Sequence, residues 1–449
     1  MRVLINGAGV AGNALAFWLG KLGHDVTVVE RFPGLRVSGL QIDLRGHGID
    51  VIRRMGLEAQ LKAKLAPEQG VQLVDSSGKR WGYFPANAEA PKPEPKQKQR
   101  FQNFTSEYEI MRGDLCQVLY DAAKDHVKYI FGTSVTGFKD GEDSVHVNLS
   151  NGISNDFDLL VGADGQGSSI RSMMFEPEVA KAAYRPLKDM NMAYVTIPRA
   201  ISEGDGYLAT AFIAPGRRGM MTRRHRPDMI QVYMGCTSNS ERLRKAIYPP
   251  RGERGTDHEV VGEQLEAWKE IFTGAGWQTE EIFRSLLNAH NGKGTSGVTP
   301  TALDTGFYTE CPALVKLDSW SRGRVTLLGD AAWCPTSTTG MGTTSAIVGA
   351  YVLAGEIQKT CRPDSLVSPE SLAAALAGYQ RVFGPFMDSV QRDVSPEGAD
   401  HMSMFPSSSW GIAVFLRAVW ILSLLQINIG RWFLREEITG WDLPSYEGL

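Results

Sequence analysis

Three glycines near the start of the chain stand at a spacing that suits a phosphate. Gly7, Gly9 and Gly12 lie between an apolar run, Val3-Leu4-Ile5, and a helix-like segment, Asn13 to Leu22. The first glycine allows a tight turn out of a strand, the second lets backbone approach a pyrophosphate, and the third lets helix and sheet pack closely. Val10 and Ala11, between them, fall at the helix N-terminus, where free N–H groups and the helix dipole favour an anion. A second apolar run, Val26 to Val29, ends at Glu30, eighteen residues after Gly12. A carboxylate there can accept hydrogen bonds from a ribose diol. A glycine pattern alone is weak evidence, but strand, helix and acid in this order make a dinucleotide-binding βαβ start.

Two further apolar strands run into acidic turns. Leu159-Leu160-Val161 leads to Gly162-Ala163-Asp164-Gly165, with Ser168, Ser169 and Arg171 following at a helix start. Val325-Thr326-Leu327-Leu328 leads to Gly329-Asp330 and a loop containing Pro335, Gly340 and Gly342. A plain NAD-binding domain needs only the first turn. Two more acidic turns suit a longer, bent cofactor with a polyol to hydrogen-bond, which is FAD. Asp164 has a plainer reading too, as the N-cap of the helix after it.

Bringing three turns together requires a sheet, and the chain is long enough to build more than one. Its 449 residues suggest two domains, or one with large insertions. Hydrophobic content of 43%, net charge of −3 and a pI of about 6.3 describe an ordinary globular chain and give no sign of a nucleic-acid or anionic-membrane partner. Cys116, Cys236, Cys311, Cys334 and Cys361 are odd in number and form no CxxC pair. This argues against a disulfide framework or a metal site and fits a reducing, cytoplasmic setting. Arg2 before an apolar run looks superficially like a signal peptide, but the nucleotide-binding strand and helix explain that run. Ile412 to Phe433 approaches membrane-spanning length, yet it carries Arg417, Gln426, Asn428 and Arg431. A long amphipathic helix packed across the protein is the preferred reading, with interfacial membrane contact as the alternative.

Between the turns, periodicity predicts a strand over Ser38 to Leu44, a helix over Ile49 to Lys64 and a strand over Val71 to Val74. Residues 85–100, rich in Pro, Ala and Lys, read as an exposed, mobile inserted loop. A helix is predicted from Glu109 to Lys124, then a strand near Val127 to Phe131. Ser144–Leu149 and Asp158–Val161 form a hairpin-like pair about Asn151-Gly152. From Tyr184 to Gly235 short β-rich runs suggest an antiparallel sheet. Residues 236–290 turn helical, Thr305 to Val315 reads as one strand, and Ser345 to Thr360 as a helix with small residues on one side. The fold class is α/β: a Rossmann-type FAD-binding domain with an inserted β-sheet substrate domain and a long C-terminal helix. The expected division gives 1–75, 109–178 and 316–395 to FAD binding, 76–108 and 179–315 to the substrate domain, and 396–449 to the C-terminal helical segment.

Taken together, the glycine turn with Glu30, Arg112 within EIMRGDL, the run DGQGSSIR and the run GDAAWCPTSTTGMG resemble the class A single-component flavoprotein monooxygenases. Para-hydroxybenzoate hydroxylase and the tetracycline-modifying flavoenzymes belong to this family. The resemblance implies that Glu30 binds the adenosine ribose, that Arg112 lies along the pyrophosphate or ribityl chain, and that Asp330 binds the ribityl hydroxyls. It places Asp164 and Gly165 near the cofactor, in positions also linked to NAD(P)H use. Gly340, Met341, Gly342 and Thr343 would present N–H groups and a positive dipole end to the flavin edge that gains charge on reduction. Arg31, Gln41 and Gly329 complete the expected lining. Candidates for the substrate side are Asp43, Arg45, Met220, Tyr233 and Pro335, each with a structural role as the simpler alternative. No residue is identified as a catalytic base.

Two positions depart from the family pattern. Trp333 stands where a His is frequent, and Cys334-Pro335-Thr336 replaces a proline pair. The implied reaction uses NADPH or NADH and O₂ to insert one oxygen atom into a small organic molecule, aromatic or polycyclic, such as a natural product or a tetracycline. The halogenase motif Trp-x-Trp-x-Ile is absent. An FAD-dependent dehydrogenase or reductase, and a non-catalytic nucleotide-binding module, are the alternatives. The expected oligomeric state is monomer or dimer.

Overall fold

The computed structural model describes residues 1–36, 39–86, 108–202, 205–248, 257–292, 306–361, 367–395, 405–425 and 440–449. The loop expected over 85–100 and the far end of the C-terminal segment, 426–439, lie almost entirely outside the described residues.

The first strand, Arg2–Asn6, is the centre of a six-stranded sheet. It pairs in parallel with Asp25–Glu30 on one side and Leu159–Gly162 on the other. Lys128–Phe131 extends the sheet beyond the former, and Val325–Leu327 and then Ser321–Arg322 beyond the latter. Val3, Leu4, Ile5, Leu159, Leu160 and Val161 are all fully buried, as continuous apolar strands in a sheet covered on both faces must be. The parallel arrangement brings the carboxyl ends of the first, Leu159–Gly162 and Val325–Leu327 strands side by side. All three predicted turns therefore open at one edge of the sheet, where α/β folds bind their ligands. Helix Gly342–Thr360 packs against helix Val10–Lys21 and helix Pro369–Gln391. At Gly349 a Cβ would lie 2.7 Å from the indole of Trp333, so the small-residue side of this helix admits a large aromatic.

The second sheet has seven strands in the order Tyr308–Glu310, Met190–Pro198, Met229–Thr237, Arg218–Arg226, Leu208–Ala214, Gly70–Val74 and Arg80–Pro85. It is antiparallel except where Gly70–Val74 runs parallel to Leu208–Ala214. The chain thus enters this sheet at Gly70, ahead of the boundary expected after residue 75. Helices Asp257–Phe272 and Thr279–His290 cover one face, with Trp268, Phe272, Phe283 and Leu286 packed on Val195, Phe212, Met220 and Val232. The other face turns toward the six-stranded sheet. Helix Ser409–Leu424 closes the far end, where Val419 packs on Phe84 and Ser423 Oγ donates to Tyr83 O at 3.0 Å. Among the described residues, no helix is long and apolar enough to cross a membrane.

Several local expectations are corrected. The helix over Ile49 to Lys64 is two helices, His47–Arg54 and Glu58–Lys62, because Gly56 takes φ of +74° and reverses the chain between them. The hairpin partner of Val145–Leu149 is Ser154–Phe157, whereas Leu159–Gly162 goes to the central sheet. The strand over Thr305 to Val315 is two short strands, Tyr308–Glu310 and Ala313–Val315, in different sheets. Pro312, which cannot donate to a ladder, lies between them. Glu109–Met111 is a strand paired with Gln41–Asp43 before the helix begins at Arg112.

Candidate active site

The glycine turn has the geometry a pyrophosphate needs. Gly7 has φ of +117°, and a Cβ there would lie 2.5 Å from Ala163 O. A Cβ on Gly12 would lie 1.9 Å from Gly7 O. Gly9 is open, and the nearest atom to its virtual Cβ is Arg112 Nη2 at 3.6 Å. Helix Val10–Lys21 has no side-chain cap and no acid in its first turn, so the N–H groups of Val10, Ala11 and Gly12 remain for an anion. Glu30 borders this turn, its carboxylate accepting from Ala8 N at 2.9 Å and Phe32 N at 3.0 Å.

Positive charge converges on the same place. Arg31 and Arg36 both stack on Phe32, and Arg36 also lies over the Tyr308 ring at 5.3 Å. Burial, and then the neighbouring charge of Arg112, pull the Arg36 guanidinium below its usual range. A site that crowds cations in this way is built for an anionic group.

The two acidic turns are locked together. Asp164 caps the helix that follows it, accepting from Ser168 Oγ at 2.6 Å and Ser169 N at 2.7 Å. Its side chain is committed to capping, and Gly165, half-buried with φ of +83°, has open space where a Cβ would stand. Arg171 donates to Gln166 O and, at 2.9 Å, to Ala331 O, which ties this turn to the next. There Gly329 adopts φ of +67° and abuts Ala11. Burial pushes the Asp330 carboxyl up, while a hydrogen bond from the Cys334 thiol and the charge of Arg112 hold it down. The loop then passes through Thr336, whose φ of +67° is strained for a β-branched residue, and reaches Gly340 at φ of +65°. A Cβ on Gly340 or Gly342 would touch nothing. The N-terminus of helix Gly342–Thr360 therefore faces open space with Thr343 beside it, whereas the N–H groups of Gly340 and Met341, expected to be free, already donate to Ser337 O and Thr339 Oγ1. Arg45 N donates to Thr344 Oγ1 at 3.1 Å and fixes this helix end against the Gln41–Asp43 strand. Open backbone at the phosphate turn, an acid at each end and a free helix terminus fit FAD.

The face of the seven-stranded sheet turned to this site is aromatic and charged. Tyr194 packs on Tyr308 at 4.8 Å and edge-on against Tyr233 at 6.0 Å. Tyr194 also hydrogen-bonds Ser337 in the loop after Asp330. Tyr233 Oη donates to Gln231 Oε1 at 2.8 Å and accepts from Gln41 N at 3.1 Å. Arg223 binds Glu68 and Glu109, both buried, and Gln41 Nε2 reaches the same two carboxylates. Burial pushes Glu68 and Glu109 up, opposed in each by Arg223.

Several sequence candidates sit differently from expectation. The Gln41 side chain, expected in the cofactor lining, reaches the Glu68 and Glu109 carboxylates instead. Asp43 pairs with the buried Arg45 in the wall of the site. Met220 lies on the helix-covered face, 2% exposed, and it is Met221 that shares a face with Tyr233. Pro335 is buried in a bridge to Leu314. Trp333 is also buried, against Trp320 and Phe383, with Nε1 donating to Tyr379 Oη at 2.9 Å, so it does not border the open loop. Reading the sequence missed Glu68, Glu109, Arg223, Tyr194, Tyr308 and Glu310. The alternation of Tyr308 and Glu310 about Thr309 was visible as strand periodicity, but nothing marked which face it served.

Comparison with known proteins identifies the family. Residues 1–273 match the FAD binding domain family. The chain is 46% identical to the FAD-dependent monooxygenase asL4 of Sarocladium schorii, over 100% of this chain and 99% of that protein. It is 34% identical to the FAD-dependent monooxygenase asL6 of the same organism, with the same coverage. Among solved structures, the tetracycline destructase Tet(51) superposes with a TM-score of 0.69 at 24% identity, covering 99% of both chains, a likeness of fold. The cofactor-shaped turns, the match to the FAD binding domain and full-length relatives of one activity make this chain a member of the FAD-dependent monooxygenase family.

Proposed function

We propose that this monooxygenase uses NADPH or NADH and O₂ to hydroxylate or epoxidise an aromatic or polycyclic molecule, a natural product or a tetracycline-like compound, held between the Gly340–Thr343 loop and the tyrosine-lined sheet. The single observation that carries this reading is the facing of Tyr194, Tyr233, Tyr308 and Met221 toward the loop after Asp330, with Tyr194 bonded to Ser337. An aromatic wall of tyrosine rings and Met221, bordered by the Arg223–Glu68–Glu109 cluster, suits a flat ring system with polar substituents and keeps water from the reacting atoms.

When bound, FAD supplies the redox and oxygen-activating chemistry. The chain's own residues position it. Gly7, Gly9, Val10, Ala11 and Gly12 with Arg112 hold the pyrophosphate, Glu30 and Arg31 the adenosine end, Asp330 the ribityl hydroxyls, and the Gly342 and Thr343 N–H groups at the helix start the flavin edge, with Gly340 and Met341 shaping the loop beside it. Gly165 lines the approach for the nicotinamide cofactor. In this reading residues 1–69, 109–178 and 316–395 serve FAD, 70–108 and 179–315 the substrate, and 396–449 the closing helical segment, in a cytoplasmic monomer or dimer.

The test is a screen of aromatic and polycyclic compounds for stimulation of NADPH and NADH oxidation by the flavin-loaded protein, with product mass measured. A product heavier by one oxygen atom supports the reading. Substrate oxidised without oxygen gain would replace it with a dehydrogenase.

A further inference from the structure

Of the twelve large apolar side chains that stand exposed among the described residues, six belong to helix Ser409–Leu424 and its C-cap: Trp410, Val414, Trp420, Ile421, Leu424 and Leu425, between 46% and 78% exposed. Scattered singly, such residues need no explanation, but gathered on one face they mark a contact. Trp410, Val414, Arg417, Ile421 and Leu424 recur at steps of four, three, four and three, the spacing of a single helix face. On the opposite face Ile412, Leu416 and Val419 are buried, with Val419 on Phe84 and Leu73 beside them. The helix is thus apolar all round and covered on one side.

The rim of the open side is basic. Arg417 is the only charged residue of the helix and lies in the middle of the exposed stripe. Its guanidinium stands 5.9 Å from the centre of the Trp81 ring, and Lys79 Nζ stands over the same ring at 4.9 Å. Arg80, also exposed, lies between Lys79 and Trp81 in the chain. Asp75, beside them, is committed to the N–H groups of Ser77 and Lys79 and to Trp81 Nε1. A second copy of the chain seated on this face about a two-fold axis would set two basic rims against each other. An anionic lipid surface instead complements both parts of the pattern. Acyl chains take up the apolar stripe, phosphates meet the cations, and tryptophan rings suit the headgroup level.

We propose that helix Ser409–Leu424 is a membrane-docking face that lies in the plane of an anionic bilayer, with Trp410, Val414, Ile421 and Leu424 toward the acyl chains and Arg417 and Lys79 at the phosphates. Docking of this kind requires no spanning segment. It also brings lipid beside the substrate sheet. Tyr194, Tyr233, Met221, Ala211, Leu73 and Gly82 are successive cross-strand partners, so they form one row on the inner face. A Cβ on Gly82, at the end of that row, would lie 2.7 Å from Val419 Cγ1. The helix that meets lipid is therefore the one that closes the far end of the aromatic wall. The docking itself stands apart from the substrate class proposed above.

The experiment is flotation of the full-length, flavin-loaded protein with vesicles of phosphatidylcholine alone and of phosphatidylcholine mixed with phosphatidylserine. The wild type should float with the mixed vesicles and be released as salt is raised. The double variant I421E/L424E should stay in the bottom fraction, its affinity for vesicles reduced at least about 100-fold, about tenfold for each side chain withdrawn from lipid. Its melting temperature and flavin content should match the wild type. R417Q should still bind, with its preference for phosphatidylserine weakened about fivefold. A wild type that stays in the bottom fraction with both vesicles, or a double variant that floats as the wild type does, overturns the inference. A lowered melting temperature of the double variant would mean that the stripe is covered within the folded chain. A wild-type dimer dissolved by the same two changes, seen by analytical ultracentrifugation without vesicles, would mean that a second copy covers it. Either result overturns the inference and leaves the FAD site untouched.

Discussion

Arg112 Nη2 stands 3.6 Å from the point that a Cβ on Gly9 would occupy. The two residues stand at the starts of helices Val10–Lys21 and Arg112–Ala123, which pack directly on each other, and Arg112 N is fixed by donating to Leu40 O at 2.8 Å. A guanidinium and a bare glycine backbone at this separation form two sides of one anion site. Replacing Arg112 by Ala should remove charge-assisted hydrogen bonds worth about 1.5–3 kcal/mol, a loss of FAD affinity of about 10- to 100-fold. Fluorescence titration of the stripped protein checks it. G12A, which would press a methyl group into Gly7 O, should abolish flavin retention.

Trp333 follows the Asp330 turn but works in the core. It fills the space left by Gly349, and its indole N–H is satisfied by Tyr379. Trp333→Ala should cost about 3–5 kcal/mol by leaving a cavity. Trp333→Phe should cost less, losing chiefly one hydrogen bond of about 1 kcal/mol. Urea denaturation of the flavin-free chain measures both. A Trp333→Ala protein of unchanged stability would place the side chain elsewhere.

The Arg223–Glu68–Glu109 cluster couples the substrate sheet to the strands that lead to Arg112. Arg223→Met leaves two buried carboxyls without their cation, and breaking such a group costs about 3–5 kcal/mol. The sign of its pH dependence follows from burial. Carboxyls pushed up by burial keep their protons in acid and must ionise, or hold a proton at a cost, as pH rises. The deficit of R223M should therefore shrink on acidification, and adding Glu109→Gln should recover part of it. Thermal melts at several pH values decide this, and a pH-independent deficit would contradict it.

The first thirty residues were legible because the signal is local: strand, glycine turn, helix and Glu30 are contiguous, and Gly12 is crowded by Gly7 O of its own turn, although Gly7 answers to Ala163 O of a distant strand. The acidic turns at Asp164 and Asp330 were legible for the same reason. What the second sheet contributes was not. Every side chain on a strand changes face with a shift of one residue, and the run Gly219-Met220-Met221-Thr222 carries no polar alternation to fix its register. The pairing Met221 with Tyr233, and Met220 with Met234, is settled only by strands far apart in sequence. The Glu68–Glu109–Arg223 cluster joins three distant segments, so no spacing in the sequence announces it.

That register makes a paired prediction. Met220, packed among Phe212, Val232 and Met234, should cost about 2–5 kcal/mol of stability when cut to Ala. Once folded, M220A should keep wild-type kinetics at saturating substrate. Met221→Ala should leave the melting temperature nearly unchanged and alter KM for the substrate found by the screen. If M221A is the unstable variant and M220A the kinetic one, the register of Arg218–Arg226 against Met229–Thr237 is wrong by one residue.

His24 predicts an acid-side loss of stability that owes nothing to the active site. It is buried next to the first strand, with Nδ1 at 3.5 Å from the Met1 ammonium. Burial first, and then that ammonium, lower its pKa to about 4. The folded chain therefore binds fewer protons at this site than the unfolded chain, whose imidazole titrates near 6.5. Stability is fully present above about 6.5 and is lost as pH falls from there toward about 4, by at most about 3 kcal/mol for this shift. This slope is opposite to the one expected of Glu68 and Glu109. A His24→Gln variant should be flat across that window relative to wild type, measured as the difference in melting temperature between pH 7 and pH 5. Equal acid sensitivity of the two proteins would assign the loss to other groups.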